Sequence, residues 1–356
     1  MPSIAIICPY PFDTVAGQRF RYEQYLDYLE KNGCNYVIYP FLDAKTNNIL
    51  YQPKQYGTKV WGVLKGFLGR IKLLFHLHRY DYLFIYREAS PIGPPIFEWL
   101  FTKVFRKKIL IDYDDAIWLT KTASSSKALG LLRNHAKLSK ICSWSYKVVC
   151  GNTFLADYAK QYSNNVTVIP TTIDLVNRHN LTKQHQAKKT TIIGWTGSRT
   201  TMIYLPMLYP IIAQLAKQYP LEFHIISDQA PSETYPFIRY IPWNKKNEID
   251  ALIHFDIGVM PLHDTIWEQG KCGFKALQYM ALGIPAIVSP VGVNSTIITD
   301  KKDGFLAHNA EEWYDLLEKL LLDPSLRQKT GQAAQTTIQQ YYSVKSQEKN
   351  YLALFS

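Results

Sequence analysis

The sequence predicts an α/β protein built from two doubly wound parallel sheets, and three observations carry that prediction. First, short runs rich in Ile and Val, bounded by Gly, Pro or Asp, alternate with helical patterns: SIAIIC, NYVIYPF, DYLFIY, KILIDYD, KVVCG and VTVIP, then TTIIGWTG, LEFHIIS, DIGVMPL and PAIVSP. Runs of this length without a polar face suit parallel strands covered by helices on both sides. Second, the chain has 356 residues, more than one core of about 250–300 residues holds, so two cores are expected. Third, TTIDLVNRHNLTKQHQAKKT separates the two sets of runs and is polar, basic and without apolar periodicity, as a boundary should be. The expected division is an N-terminal domain over 1–172, a linker over 173–187, a C-terminal domain over 188–337 and a last helix over 338–356. Ligands of such sheets bind outside the carboxyl ends of the strands, which points to a central cleft between the two domains.

Composition narrows the function. Hydrophobic residues make up 47% and charged residues 19%, which excludes a disordered chain. The formal charge of +11 favours an anionic partner: nucleic acid, a phosphate ester or an anionic membrane surface. No recognised nucleic-acid motif accompanies that charge, so no nucleic acid is expected. The five cysteines form no CxxC pair, which argues against a zinc knuckle and a disulfide framework and fits a reducing cytoplasm. The nine histidines show no metal-ligand spacing, and no metal site is expected. MPSIAIICPYPFDT lacks a basic leader region, and no apolar run reaches membrane-spanning length.

Along the chain, the first strand leads into PYPFDTVAGQRFRYEQYLDYLEKNG, where Phe20, Tyr25, Leu26 and Leu29 read as one amphipathic helix stopped by Gly33. Gly17 stands near its start, where a glycine lets backbone N–H groups approach a phosphate; the plainer reading is a strand-to-helix turn. Arg19 or Arg21 could face the cleft and meet an anion. In WGVLKGFLGRIKLLFHLHR, from Trp61 to Arg79, the residues Leu64, Phe67, Leu68, Ile71, Leu74 and Phe75 share one helical face, with Lys65, Arg70, Lys72 and Arg79 elsewhere. Between Trp61 and Lys108, nine cations against three acids hold six of the eleven excess charges. Either this stripe faces a core or it lies on an anionic membrane. KKILIDYDDAIWL ends a strand with Asp112, Asp114 and Asp115: carboxylates at the cleft edge that could orient a hydroxyl, a helix N-cap, or an Asp-x-Asp metal site. Asn152 and Thr153 read as a helix cap.

GKCGFKALQYMALGIPAIVSPVGVN, from Gly270 to Asn294, is the most informative stretch. A cationic glycine-rich loop runs into a helix over Phe274 to Leu282, stopped by Gly283 and followed by a strand. Lys271 and Lys275 flank Cys272 and Gly273, so ammonium groups and backbone N–H groups can converge on a diphosphate at the helix start. Gln278 lies one turn further and could reach a hydroxyl pair.

This arrangement resembles the nucleotide-sugar element of retaining glycosyltransferases of family 4 (group 1), which have the GT-B fold of two Rossmann-like domains facing a cleft. GWTGSRTTMIYL, from Gly194, resembles the first strand-loop-helix of their donor domain. VVCGNTFLADYAKQYSNNVTVIPTTID, from Val148, is similar to the segment that closes their acceptor domain. KDGFLAHNAEEWYDLLEKLLLDPSLRQKTGQAA, from Lys302, resembles their tail, whose last helix crosses back to the first domain. The resemblance implies a hexosyltransferase that moves a sugar from a nucleoside diphosphate donor onto a lipid-linked or polysaccharide acceptor, retaining configuration without a metal or other cofactor. The implied donor set is Gly17, Gly197, Ser198, Arg199, Glu268, Lys271, Cys272, Gly273, Phe274, Lys275 and Gln278. Arg199, Lys271 and Lys275 would steady the departing diphosphate, and Asp114 and Asp115 would face the acceptor.

The chain departs from the family pattern of two Glu separated by seven residues, because Gly270 and Gln278 stand at those positions. Gln278 would keep the ribose hydrogen bond in neutral form, and Glu268 is the nearest carboxylate that could replace the sugar contact. The other readings are a GT-B nucleotide-sugar epimerase and a nucleotide-sugar-binding protein with little turnover. The expected place is the cytoplasm, including the inner face of the cell membrane.

Overall fold

A computed structural model describes residues 1–50, 52–119 and 136–356. It divides into two units, Met1–Thr171 with Gln347–Ser356, and Thr172–Ser346. Each unit is a six-stranded, all-parallel sheet with helices.

The first sheet contains β1 (Ser3–Cys8), β2 (Asn35–Pro40), β3 (Tyr82–Tyr86), β4 (Lys108–Tyr113), β5 (Lys147–Cys150) and β6 (Val166–Val168), in the order β2-β1-β3-β4-β5-β6. The Ile and Val runs are its buried strands: β1, β3 and β4 bury nearly every side chain. The chain reverses its winding between β1 and β3, so the loops after these strands open at a switch point. The C-terminal residues belong to this unit. Tyr351 stacks on Tyr25 at 4.1 Å, and Phe355 packs on Phe84 and Tyr82.

The second sheet contains β7 (Thr191–Thr196), β8 (Leu221–Ser227), β9 (Ile238–Pro242), β10 (Ile257–Met260), β11 (Ala286–Val288) and β12 (Phe305–Leu306), in the order β12-β11-β10-β7-β8-β9. This is the winding in which a dinucleotide fold reverses between its first and fourth strands, here β7 and β10. The close approach of helix to sheet needs glycine at Gly258, where a Cβ would lie 2.4 Å from the Tyr279 ring.

Three expectations change. The single helix expected after Gly17 is broken into Ala16–Arg19, a 3-10 turn over Glu23–Tyr25 and Leu26–Lys31. The break spans Arg21, whose side chain runs inward. The segment 173–187, read as a linker, belongs with the second unit: Lys183 pairs with Asp256 at 3.2 Å, and the His185 backbone N–H donates to Gln328 Oε1 at 2.9 Å. Of the expected last helix, Gln347–Ser356 belong to the first unit and the residues before them to the second.

His185 is buried with its Nε2 3.0 Å from the Gly283 carbonyl, an acceptor, so that nitrogen carries the proton. Burial pulls its pKa down to about 4, against the pull of that carbonyl. A histidine depressed in the folded state favours folding above its unfolded value, and that contribution is lost as pH falls from about 6.5 towards 4. We expect acidification across this window to cost about 1–2 kcal/mol through this group, discounted for its partial solvation. Urea midpoints at pH 7 and 4.5 check it: His185→Gln should lose less stability on acidification than the parent, and an equal loss would clear His185 of the effect.

Candidate functional site

The second unit gathers its candidate residues at the carboxyl ends of β7 and β10. After β7 the chain turns through Gly197 and Ser198 into a 3-10 helix over Arg199–Met207. Gly197 lies against the buried Trp195, where a Cβ would stand 2.5 Å from the indole ring. The Arg199 backbone N–H donates to Asp228 Oδ1 at 2.6 Å, which fixes the turn, while the Arg199 side chain is exposed. Ser198 Oγ lies 2.8 Å from Thr200 Oγ1.

From the β10 side, a short helix over Ile266–Gln269 precedes the loop and the helix Phe274–Ala281. Gly273 caps that helix in the left-handed region at φ +67, and a Cβ there would lie 2.2 Å from Ile297 Cδ1. Only glycine meets both demands without strain. The two lysines lean towards the β7 side: Lys275 Nζ stands 5.5 Å above the Trp195 ring and Lys271 Nζ 5.9 Å above the Tyr204 ring. Two ammonium groups and a helix start therefore sit at the switch point, where an anion is favoured by charge, dipole and backbone donors together. Cys272 and Phe274 are half-buried in the same loop.

Two residues sit differently from their expected roles. Glu268 is buried, and its two carboxylate oxygens accept from the Tyr204 and Thr265 hydroxyls. Its carboxylate thus ties the loop to the 3-10 helix, and burial with this contact pushes the Tyr204 hydroxyl up. Gln278 is also enclosed, its amide 3.4 Å from Glu248 Oε1 and 3.5 Å from His179 Nε2. Glu248 is in turn held by Arg178 and by Trp243 Nε1 at 3.1 Å. The helix carries Gln278 inward because its neighbours Ala276 to Ala281 form the buried face.

The first unit has its own polar cluster at its switch point. Gly17 lies there, where a Cβ would come 2.4 Å from the Tyr86 hydroxyl. Asp114 Oδ1 accepts from Tyr86 at 2.9 Å and from Arg87 Nη2 at 2.8 Å, and Asp115 Oδ2 accepts from the same guanidinium at 2.7 Å. Burial opposes the charge of Arg87, but Asp114, Tyr86 and Asp115 outweigh it and hold the side chain firmly protonated. Arg87 has a left-handed backbone, φ +63, a strained conformation that tends to collect at functional sites. The sequence reading counted Arg87 only as charge; its place directly after the strand DYLFIY was the available signal.

The Asp112 carboxylate points away from this cluster, although its backbone carbonyl accepts the Arg87 N–H at 2.7 Å. It is wholly buried against Arg21, with Arg21 Nε to Oδ1 at 3.0 Å and Nη2 to Oδ2 at 2.8 Å. Arg21 is therefore a core residue and not a contact for an acceptor, and Arg19 is buried too. The carboxylates of Asp112 and Asp114 are held by different arginines, Arg21 and Arg87. Asn152 caps its helix, accepting from the Leu155 N–H at 2.9 Å.

Residues 233–337, which include the lysine loop, match the family described as glycosyl transferases group 1. This stretch is similar to group 1 glycosyl transferases. The matched stretch holds β9 to β12 and the helix Phe274–Ala281 that carries Lys275. Over 81 residues the chain is 37% identical to D-inositol 3-phosphate glycosyltransferase of Arthrobacter sp. (strain FB24), an alignment covering 22% of this chain and 18% of that protein. The chain thus spans under a fifth of the length of this curated relative. Sucrose-phosphate synthase from Thermosynechococcus elongatus shares the fold, with a TM-score of 0.73 at 13% identity over 100% of this chain and 98% of that one. A glycosyltransferase from Rickettsia africae ESF-5 aligns with a TM-score of 0.69 at 15% identity over 99% and 97%. HepE from Anabaena, in complex with UDP-glucose, gives 0.68 at 11% identity over 99% of each chain. The two six-stranded units are those of the GT-B fold that these structures share.

Proposed function

We propose that this chain is a glycosyltransferase that moves a hexosyl group from a nucleoside diphosphate sugar to a hydroxyl of a lipid-linked or polysaccharide precursor. The reading rests on one observation: Lys271, Lys275 and the Gly273 helix start stand together at the β7/β10 switch point, on a stretch similar to group 1 glycosyl transferases. Transfer breaks the anomeric C–O bond and leaves negative charge on the diphosphate. Fixed cations stabilise that leaving group as it forms, which is where binding energy accelerates a reaction. Arg199 adds a third cation from the β7 turn, and Ser198 a hydroxyl. Configuration is retained, the acceptor hydroxyl passes its proton towards the departing phosphate, and no metal takes part. The Arg87–Asp114–Asp115 cluster serves the acceptor side. The protein works in the cytoplasm, at the inner face of the cell membrane. No helix among the described residues is long and apolar enough to cross a membrane.

Glu268 and Gln278 are both engaged within the unit, which keeps a second reading in view, a protein that binds nucleotide sugars and turns them over weakly. One screen separates the two. Unfolding temperature is measured across nucleoside diphosphates and their sugar conjugates, uridine donors first because HepE is described with UDP-glucose, since a ligand that binds only the folded state raises it. A donor that stabilises the protein and is hydrolysed slowly, with or without EDTA, supports transfer. Stabilisation with no turnover, even with candidate acceptors, supports the binding protein, and no stabilisation by any donor overturns both.

A further inference from the structure

The helix Tyr56–Leu74 packs the opposite way from a simple amphipathic helix. Its buried face is Gly62, Gly66, Arg70 and Leu73: Gly62 approaches Thr46 so closely that a Cβ would lie 2.1 Å from Thr46 Oγ1, and a Cβ on Gly66 would lie 2.6 Å from the Phe41 carbonyl. Arg70, expected on the outer cationic side, is buried in that face, giving Nε to the Ala89 carbonyl and its two Nη groups to those of Tyr39 and Cys8. The expected apolar stripe is left outside. Trp61, Leu64, Leu68, Ile71 and Phe75 are 54, 48, 51, 45 and 74% exposed, and their three-four spacing keeps them on one line of the helix. Single exposed apolar residues are ordinary, but a contiguous line of five is not.

A second exposed group lies beside it. Phe67, under the stripe, packs on Phe97 at 6.2 Å, and the turn that follows Phe97 exposes Trp99, Val104 and Phe105. Charge identifies what this surface meets. From Ala44 to Tyr80 the sequence has seven Lys and Arg and no Asp or Glu, and Lys103 and Arg106 are exposed on and just after the second element. One exposed carboxylate, Asp43, lies at the margin of this surface, 3.7 Å from Lys65. A second copy of the chain would bring the same cations against these, whereas anionic headgroups neutralise them.

We infer that the outer face of the helix Tyr56–Leu74, with the exposed turn at 99–105, seats the first unit on an anionic lipid surface. The apolar line enters the headgroup boundary, Trp61 and Trp99 lie at headgroup depth, and Lys65, Lys72 and Lys103 rest on the lipid phosphates. The inference deepens the proposed place of action, but it stands on exposure and charge and not on the donor site.

Sedimentation with vesicles tests it, using phosphatidylcholine alone or with about one third phosphatidylglycerol. The whole protein should pellet with the anionic vesicles about tenfold more strongly than with the neutral ones, and less in high salt. Leu64→Gln/Leu68→Gln/Ile71→Gln should lose about tenfold in vesicle affinity, and Lys65→Gln/Lys72→Gln should lose the preference for anionic lipid. An unchanged donor-induced thermal shift in both variants would show them folded and separate a failure here from a failure of the transferase reading. Parent protein that stays in the supernatant with anionic vesicles, or a triple variant that pellets like the parent, overturns the inference. So does a dimer at sedimentation equilibrium that the triple variant makes monomeric, because the stripe then belongs to a second copy.

Discussion

Lys275→Ala is expected to lower the rate of sugar transfer by about 10²–10³-fold while the fold survives. The ammonium is held above Trp195, a ring buried at the end of β7, so its position does not depend on the donor being present. Such a preset charge costs no reorganisation when the diphosphate departs, and its effect is largest where charge develops. The loss should therefore fall on kcat at least as much as on KM, since an interaction equal in ground and transition states would change KM alone. Lys275→Arg should recover part of the rate, because it keeps the charge with altered geometry. Unfolding should stay within about 1 kcal/mol of the parent, as the side chain is only half-buried and alanine favours the helix. A kcat near that of the parent would remove Lys275 from the diphosphate site.

The sequence makes the sheets legible wherever a strand is covered on both faces. β1, β3, β4, β7 and β10 are continuous apolar runs because both faces are buried. β9 escapes because it is an edge strand with alternating, half-exposed residues, and β12 because two residues carry no period. The lysine loop is legible for the same kind of reason: Gly273 and Gly283, both left-handed, punctuate a short helix. Side-chain partners are not legible. Glu268 looks available in the sequence, yet Tyr204, 64 residues away, takes one of its oxygens. The helix Tyr56–Leu74 misleads most, since periodicity reports which residues share a face and says nothing of which face turns inward. Gly62 and Gly66 decide that by letting the backbone itself approach Thr46 and Phe41.

Asp112→Ala should cost about 3–5 kcal/mol of stability, because it leaves the Arg21 guanidinium charged and buried. Both side chains are almost wholly excluded from solvent, the pairing is bidentate, and the remaining Nη1 donates to the Ile169 carbonyl at 2.5 Å. Burial pushes the Asp112 carboxyl up, and Arg21 opposes that rise more than any other group. The pair is thus two desolvated charges, each tolerable only beside the other. Changing both together, as Arg21→Met/Asp112→Leu, removes the desolvation cost with the attraction and should recover most of the loss. A double-mutant cycle by urea unfolding reads the coupling directly, and additive single losses would mean that the two charges do not depend on each other. The consequence reaches the acceptor cluster, since the Asp112 carbonyl receives the Arg87 N–H at 2.7 Å. That main-chain bond survives in Asp112→Ala, so Arg87 should loosen its grip on Asp114 and Asp115 only as far as the end of β4 shifts around the unpaired Arg21. The double apolar variant, with the strand end repacked, should restore the grip together with the stability.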